Sequence, residues 1–415
     1  MIGRIRGLLR EYGNQHKIVF MFSLMVLFWT IFDDIMSYIT PILIQENGFS
    51  MSMIGFIIGS SSITGALFDF LISKFFKNTN YKRMFLILFA ICAVYPFLLW
   101  QAKTLWFFLL VMAVWGIYFD LYGFGVFNFI SRSARKKENS SYFGIVEIFR
   151  ALGGMLTPLI IGLVVVDRVD WRAFSLGWVF LGIGFVFFLI LLVLTRQNRS
   201  TKEISAEYPR RKNLFTELHL WKKIGRLISP VLFLTFFLFF TEAFFWTLAP
   251  LYAETANLKA FGGLFLTAYT LPALLVGWFV GSLTKRFGKK RTAFVGVLIG
   301  SLILSSFAFW PDSIISIVAV FLASVFISLS LPAINSAYAD YISEAPQVEG
   351  EIEGLEDFAF NIGYMAGPVS AGILADVFSI PAAFSILGVM GAILALILLA
   401  VTPRNINIKT RPSEL

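Results

Sequence analysis

Two stretches of this 415-residue chain place carboxylic acids where water is scarce. In Trp29-Thr30-Ile31-Phe32-Asp33-Asp34-Ile35-Met36-Ser37-Tyr38-Ile39-Thr40-Pro41, both aspartates lie inside an apolar run from Ile18 to Ile44. A run of that length crosses the roughly 30 Å hydrocarbon core as a helix. An Asp at the centre of such a helix costs on the order of 2.5–3.5 kcal/mol, so it is expected to face a polar cavity and work there. The work open to it is taking up and releasing a proton, or pairing with a cation; the alternative is a hydrogen bond to a neighbouring helix. Phe240-Thr241-Glu242-Ala243-Phe244-Phe245-Trp246-Thr247-Leu248-Ala249-Pro250 repeats the pattern. Glu242 precedes Pro250 by the eight positions that separate Asp33 from Pro41, 209 residues later. Adjacent helix positions point about 100° apart, so Asp33 and Asp34 look different ways. The repeat selects Asp33 as the proton-coupling residue and Glu242 as its counterpart; Asp34, opposite Ala243, is the secondary candidate.

A second set of charges lies in spans four and five. Arg150 follows Glu147 by three positions, which puts both on one helix face. Asp120 and Arg150 each stand about ten residues from the same membrane face, a depth near 15 Å at about 1.5 Å per residue. An Asp120–Arg150 or a Glu147–Arg150 pair is therefore expected, acting either as a fixed salt bridge or in substrate binding and proton relay. Asp33, Asp34, Asp120, Glu147, Glu242 and Asp357 together face one Arg, and they cannot all be ionised cheaply. Some are expected to hold a proton or a bound cation, with sodium as the alternative ion; an acid-lined cavity also suits a cationic substrate. Tyr38 and Trp246 flank the acid–proline turns and are candidate substrate contacts, as are Asn335 and Asn361. With one cysteine, Cys92, and two histidines, His16 and His219, no disulfide, metal site or other cofactor is expected. The different-class alternative is a non-transporting membrane receptor or intramembrane enzyme; no nucleophile–base or metal constellation supports an enzyme, and two near-equal halves with midplane acids do not suit a receptor.

The elements that hold these residues follow from composition. At 58% hydrophobic and 14% charged residues, the chain reads as an all-α polytopic membrane protein. Twelve spans are predicted, at 18–44, 52–73, 83–101, 105–130, 141–166, 173–195, 228–253, 261–284, 292–311, 315–342, 355–376 and 380–402. They form two pseudo-symmetric six-helix bundles, 1–196 and 227–403, joined by 197–226 and followed by a tail at 404–415. In the joining segment, Leu214, Leu218, Trp221, Ile224 and Leu227 recur at helical spacing, as in a helix lying on the inner membrane surface. Lys and Arg concentrate before span one, after spans two, four, six and eight, and at the end. That places both termini in the cytoplasm, in the cytoplasmic membrane, with no signal peptide. The net charge of +9 is thus an orientation signal and no nucleic-acid partner is expected. Between spans ten and eleven, Glu344, Glu349, Glu351, Glu353 and Glu356 occur without a Lys or Arg. They are either a solvated loop or a gate that pairs with a basic loop such as 285–291.

A second repeat has an offset of 210: Gly144 falls on Gly354, Glu147 on Asp357, Gly153 on Gly363, Pro158 on Pro368 and Gly162 on Gly372. Glycines at helical spacing let membrane helices approach closely, so Gly153, Pro158, Gly363 and Pro368 are predicted packing positions. Parallel repeats with a midplane site between them are a common transporter plan.

With these motifs the chain resembles the major facilitator superfamily over its whole length. Gly281-Ser282-Leu283-Thr284-Lys285-Arg286-Phe287-Gly288-Lys289-Lys290-Arg291 is similar to its cytoplasmic signature, with Lys285 where an Asp is usual. Gly281, Lys285, Arg286, Gly288 and Lys289 are accordingly a gating motif by resemblance. Gly65-Ala66-Leu67-Phe68-Asp69 starts the matching pattern after span two, but the basic half does not follow. The glycine–proline pattern of spans five and eleven resembles that of exporters exchanging substrate for protons, although span four lacks their usual Arg. The resemblance implies a monomeric, proton-coupled transporter of a small organic solute working by alternating access. Efflux of amphipathic or cationic compounds is favoured; symport of a sugar or other polar solute is the alternative.

Overall fold

The computed structural model describes residues 2–75, 80–133, 139–165, 168–197, 214–255, 262–311, 313–345 and 348–402, and among them every regular element is helical. The helices are α1 (Ile2–Glu46), α2 (Met51–Phe75), α3 (Tyr81–Gln101), α4 (Leu105–Ser133), α5 (Asn139–Gly162), α6 (Trp171–Gln197) and α7 (Leu214–Thr255). They continue as α8 (Gly262–Phe287), α9 (Lys289–Ser305), α10 (Ile314–Ile327), α11 (Ser330–Glu344), α12 (Glu349–Val377) and α13 (Ile380–Val401). Long apolar segments take this form because lipid offers backbone groups no partners, and a helix supplies them all internally. Buried hydroxyls follow the same rule. Ser23, Thr40, Thr157, Thr235 and Thr247 each donate to the carbonyl four residues back.

Among the described residues, eleven stretches are long and apolar enough to cross a membrane. The bent helix α8, which turns by 68° between Gly263–Gly277 and Phe279–Phe287, makes a twelfth when counted as one span. These are the twelve spans expected, with one internal difference. The tenth, expected as a single helix over 315–342, breaks at Ser328–Leu329 into α10 and α11. Pro332 is the physical reason: it has no N–H for the Ser328 carbonyl, and its ring crowds that oxygen. Residues 198–213 of the joining segment lie outside the described residues, and so does the tail from 403. Leu214, Leu218, Trp221, Ile224 and Leu227, expected on a surface helix, all belong to α7, which runs unbroken from Leu214.

The chain forms two compact units, Met1–Leu43 with Thr64–Glu207, and Ile44–Ile63 with Tyr208–Leu415. Residues 44–63, which the sequence reading gives to the first half, cluster with the second. Glycines explain why. Gly55 lies against the Pro368 carbonyl of α12, and a Cβ on Gly59 would stand 2.7 Å from the Met365 carbonyl. At the same crossing, Asp376 accepts hydrogen bonds from the Met51 and Ser52 amides at 3.0 and 2.8 Å, capping α2 from α12.

Within the first unit, α1 is approached by α5 and α6 through Gly153 and Gly177, and α3 packs on α4. Within the second, α7 packs along α12, and α9 packs along α13 and α10. The two repeats build equivalent contacts. A Cβ on Gly153 would meet the Leu27 carbonyl of α1 at 3.0 Å, and one on Gly363 would meet the Phe236 carbonyl of α7 at 2.7 Å. Gly363 follows Gly153 by 210 positions and Phe236 follows Leu27 by 209, so the duplication read in the sequence is a duplication of packing. Pro158 and Pro368 are both buried beside these glycines.

Candidate functional site

Asp33 is 5% exposed on α1, in the middle of an apolar helix. Its Oδ1 accepts hydrogen bonds from the Trp115 indole at 2.9 Å and the Tyr118 hydroxyl at 2.7 Å. Both donors come from α4, three positions apart on one face. Tyr118 meets Trp29 and Tyr95 edge to face, and Trp29 stacks on Tyr122 with ring centroids 3.8 Å apart. An aromatic box from α1, α3 and α4 thus surrounds the carboxylate. Converging both donors on one oxygen has a chemical consequence. A carboxylate oxygen and the carbonyl oxygen of a neutral acid each carry two lone pairs. Oδ1 can therefore keep both bonds whether or not a proton resides on Oδ2.

The neighbouring charges gather at one hydroxyl. Asp33, Asp34, Glu147 and Arg150 all lie within electrostatic reach of Tyr122, and Arg150 within reach of Asp33. Arg150 binds Glu147 at 2.8 Å, one of the pairs expected for it. The two side chains are 47% and 54% exposed, not sealed in the membrane interior, because they share a face of α5 that is left open. The Asp120 carboxylate lies against α2, with Oδ2 2.7 Å from where a Cβ on Gly65 would stand. Asp34 points to α5, with Oδ2 3.3 Å from the same position on Gly154. The two adjacent aspartates therefore do look apart: Asp33 to α4, Asp34 to α5.

In the second unit the symmetric counterpart is differently housed. Glu242 is half-buried on α7 and within electrostatic reach of Tyr269, which stacks on Phe245 at 4.1 Å. At an offset of 209, Trp115 and Tyr118 correspond to Ser324 and Ile327, so the second half has no equivalent pair of aromatic donors. Ser324 spends its hydroxyl on the Tyr269 carbonyl. Of the substrate candidates, Tyr38 is 2% exposed in the first unit, Trp246 is half-buried and Asn335 is exposed. Asn361 donates to the Asp357 carbonyl of its own helix at 3.1 Å. Asp357 is exposed on α12 close to Glu353 and Glu356.

The basic motif forms a turn. Gly288, at φ 86°, ends α8 and begins α9, a conformation that suits a residue without a Cβ. Lys285 and Arg286 occupy the last turn of α8, and Gly281 lies in open space one turn earlier. Lys289 binds Asp340 of α11 at 2.7 Å and the Ser336 carbonyl at 3.0 Å. The basic loop thus finds two acids on α11, Asp340 through Lys289 and Glu344, the first of the glutamate set, within electrostatic reach of Lys290. Among the described residues no group of three or more His, Cys, Asp or Glu side chains could hold a metal ion.

Trp115, Asp340 and Asp376 are absent from the sequence-based candidates. Trp115 could have been found as the residue one turn before Tyr118 on the helix that carries Asp120. No sequence signal marks Asp340 or Asp376, whose partners are more than fifty positions away.

Comparison with known proteins adds the following. The family model described as Major Facilitator Superfamily matches residues 18–350 and 231–414. An uncharacterized MFS-type transporter, YuxJ of Bacillus subtilis (strain 168), is 24% identical over 376 residues, covering 84% of this chain and 87% of its own. A variant of the nucleoside transporter NupG superposes with a TM-score of 0.72 at 12% identity, over 93% of this chain and all of the other. A bacterial homolog of the human lysosomal transporter Spinster superposes with a TM-score of 0.71 at 14% identity, over 93% and 96% of the two chains.

Proposed function

Because the chain belongs to the major facilitator superfamily and is a multi-pass membrane transporter rather than an enzyme, we propose that it moves a small organic solute in exchange for protons, with Asp33 as the proton-carrying residue. The carrying observation is the buried carboxylate whose Oδ1 holds two hydrogen bonds from α4. Proton uptake and release at Oδ2 then leaves the aromatic box intact. Glu147 and Arg150, half-exposed and close to Tyr122, relay between that box and the water-filled side of the transport path. Asp34, Asp120 and Glu242 are auxiliary acids, and a proton is preferred over sodium as the coupling ion. The protein acts as a monomer in the cytoplasmic membrane with both termini inside, as the distribution of Lys and Arg implies.

Efflux of amphipathic or cationic compounds is the direction proposed. Aromatic faces beside a carboxylate attract both apolar bodies and positive charge. Uptake of a polar solute by symport is the second reading, favoured by the lack of an Arg in the fourth span. The test is made in proteoliposomes loaded with a pH-sensitive dye, comparing wild type with Asp33→Asn over lipophilic cations, nucleosides and sugars. Substrate-driven proton movement that vanishes in the variant supports the reading, and its sign separates exchange from symport. Substrate flux without proton movement, or an unaffected variant, refutes it.

A further inference from the structure

A cavity of about 1110 Å³ opens in the second unit where four helices end together: the last turn of α8, the first turns of α9, and the last turns of α11 and α13. Such a coincidence of helix ends belongs at the boundary between hydrocarbon and water. The charged lining is Arg286, Lys289, Lys290 and Arg291, against Asp340 and Glu344. Asp340 engages Lys289, and Glu344 lies within electrostatic reach of Lys290. Two acids therefore offset two of four cations, and an excess of positive charge stays with Arg286 and Arg291, both exposed. The rest of the lining combines an apolar wall of Phe294, Leu398 and Leu399, with Phe287 52% exposed at the rim, and the hydroxyl-bearing side chains of Thr284, Tyr341 and Thr402.

We infer that this cavity binds the headgroup of an anionic phospholipid from the adjacent leaflet, with Arg286 and Arg291 on the phosphate and the apolar wall against the glycerol and upper acyl chains. Two features select a lipid over a soluble phosphate. A soluble anion gains nothing from Phe287, Leu398 and Leu399, and the site stands at the level where lipid headgroups reside. Arginines suit a phosphate because the guanidinium fork presents paired donors to its oxygens. Basic pockets between spanning helices are a recurrent way of holding anionic headgroups. The inference rests on this lining and is independent of the direction or coupling of transport.

Native mass spectrometry of the full-length protein released from detergent tests it, with added phosphatidylglycerol, phosphatidylcholine or inorganic phosphate. The expected result is a retained phosphatidylglycerol that phosphatidylcholine does not replace. Arg286→Gln with Arg291→Gln should cut retention about thirtyfold, at about 1 kcal/mol for each basic residue near the surface. Arg83→Gln, an exposed basic residue of the other unit, should not, and Arg286→Lys with Arg291→Lys should keep most of it. The lysine pair also guards against loss through misfolding, since a pair that folds and binds isolates the charge. Equal retention of the neutral lipid, no loss in the glutamine pair, or an equal loss in Arg83→Gln would overturn the proposal. Displacement of the lipid by millimolar inorganic phosphate would assign the cavity to soluble anions and overturn it as well.

Discussion

Tyr118 hands its phenolic hydrogen to Asp33 across 85 residues of chain, at 2.7 Å and out of contact with water. A hydrogen bond to a charged group contributes about 1.5–3 kcal/mol, so Tyr118→Phe removes a large part of what holds this carboxylate. Proton-coupled flux is expected to fall about tenfold or more while expression and detergent stability stay close to wild type. Trp115→Phe should give a smaller loss, because the shorter Tyr118 bond remains. Dye-reported proton flux in liposomes measures both. Equal rates for all three proteins would mean that Asp33 is held by packing alone.

Gly153 and Gly363 occupy equivalent places in the two repeats but do not leave equal room. The Cβ of an alanine at 153 would meet its first atoms at 3.0 Å, whereas at 363 it would meet backbone at 2.7 and 2.9 Å. Overpacking costs typically about 1–3 kcal/mol, and backbone cannot rotate aside as a side chain can. Gly363→Ala should therefore lower the thermal midpoint in detergent more than Gly153→Ala. Equal shifts, or the reverse order, would contradict the packing described here.

Asp376 caps α2 through the Met51 and Ser52 amides. Removing an N-terminal cap costs about 0.5–2 kcal/mol. Each Asp376 oxygen takes one amide, and Asn has one acceptor oxygen where Asp has two. Asp376→Ala is therefore expected to speed amide exchange over 51–55, and Asp376→Asn to restore only part of the protection. Hydrogen exchange read by mass spectrometry resolves this segment. Unchanged exchange in the alanine variant would show that the glycine contacts alone hold this end.

The Lys289–Asp340 pair is 32% and 54% exposed, so screening limits it to about 1 kcal/mol or less. Lys289→Met should shift the thermal midpoint only slightly, and the difference from wild type should shrink further at high salt. A large, salt-independent loss would identify the Ser336 carbonyl contact as the important one.

How much of this was legible beforehand differs from residue to residue. Asp33 and the Gly153–Gly363 correspondence could be read because a duplicated chain repeats its spacings, and spacing survives in sequence. The inequality of Asp33 and Glu242 could not be read from that same spacing. It arises from two residues one turn apart on another helix, where Trp115 and Tyr118 are replaced by Ser324 and Ile327. The break between α10 and α11 was hidden for a simpler reason: hydropathy is blind to a proline in an apolar run, though Pro332 was in plain view. The half-exposure of Glu147 and Arg150 escaped because depth along a helix axis says nothing about which flank is covered.

Cys92 is the one sulfhydryl in 415 residues, and it is fully buried on α3. A thiol out of reach of water is also out of reach of maleimides and spin labels in the folded protein. The native chain can therefore serve as its own unlabelled background. Two cysteines introduced at exposed helix ends then carry the only reporters, and the distance between them can be followed through a transport cycle without first rebuilding the core around a missing sulfur.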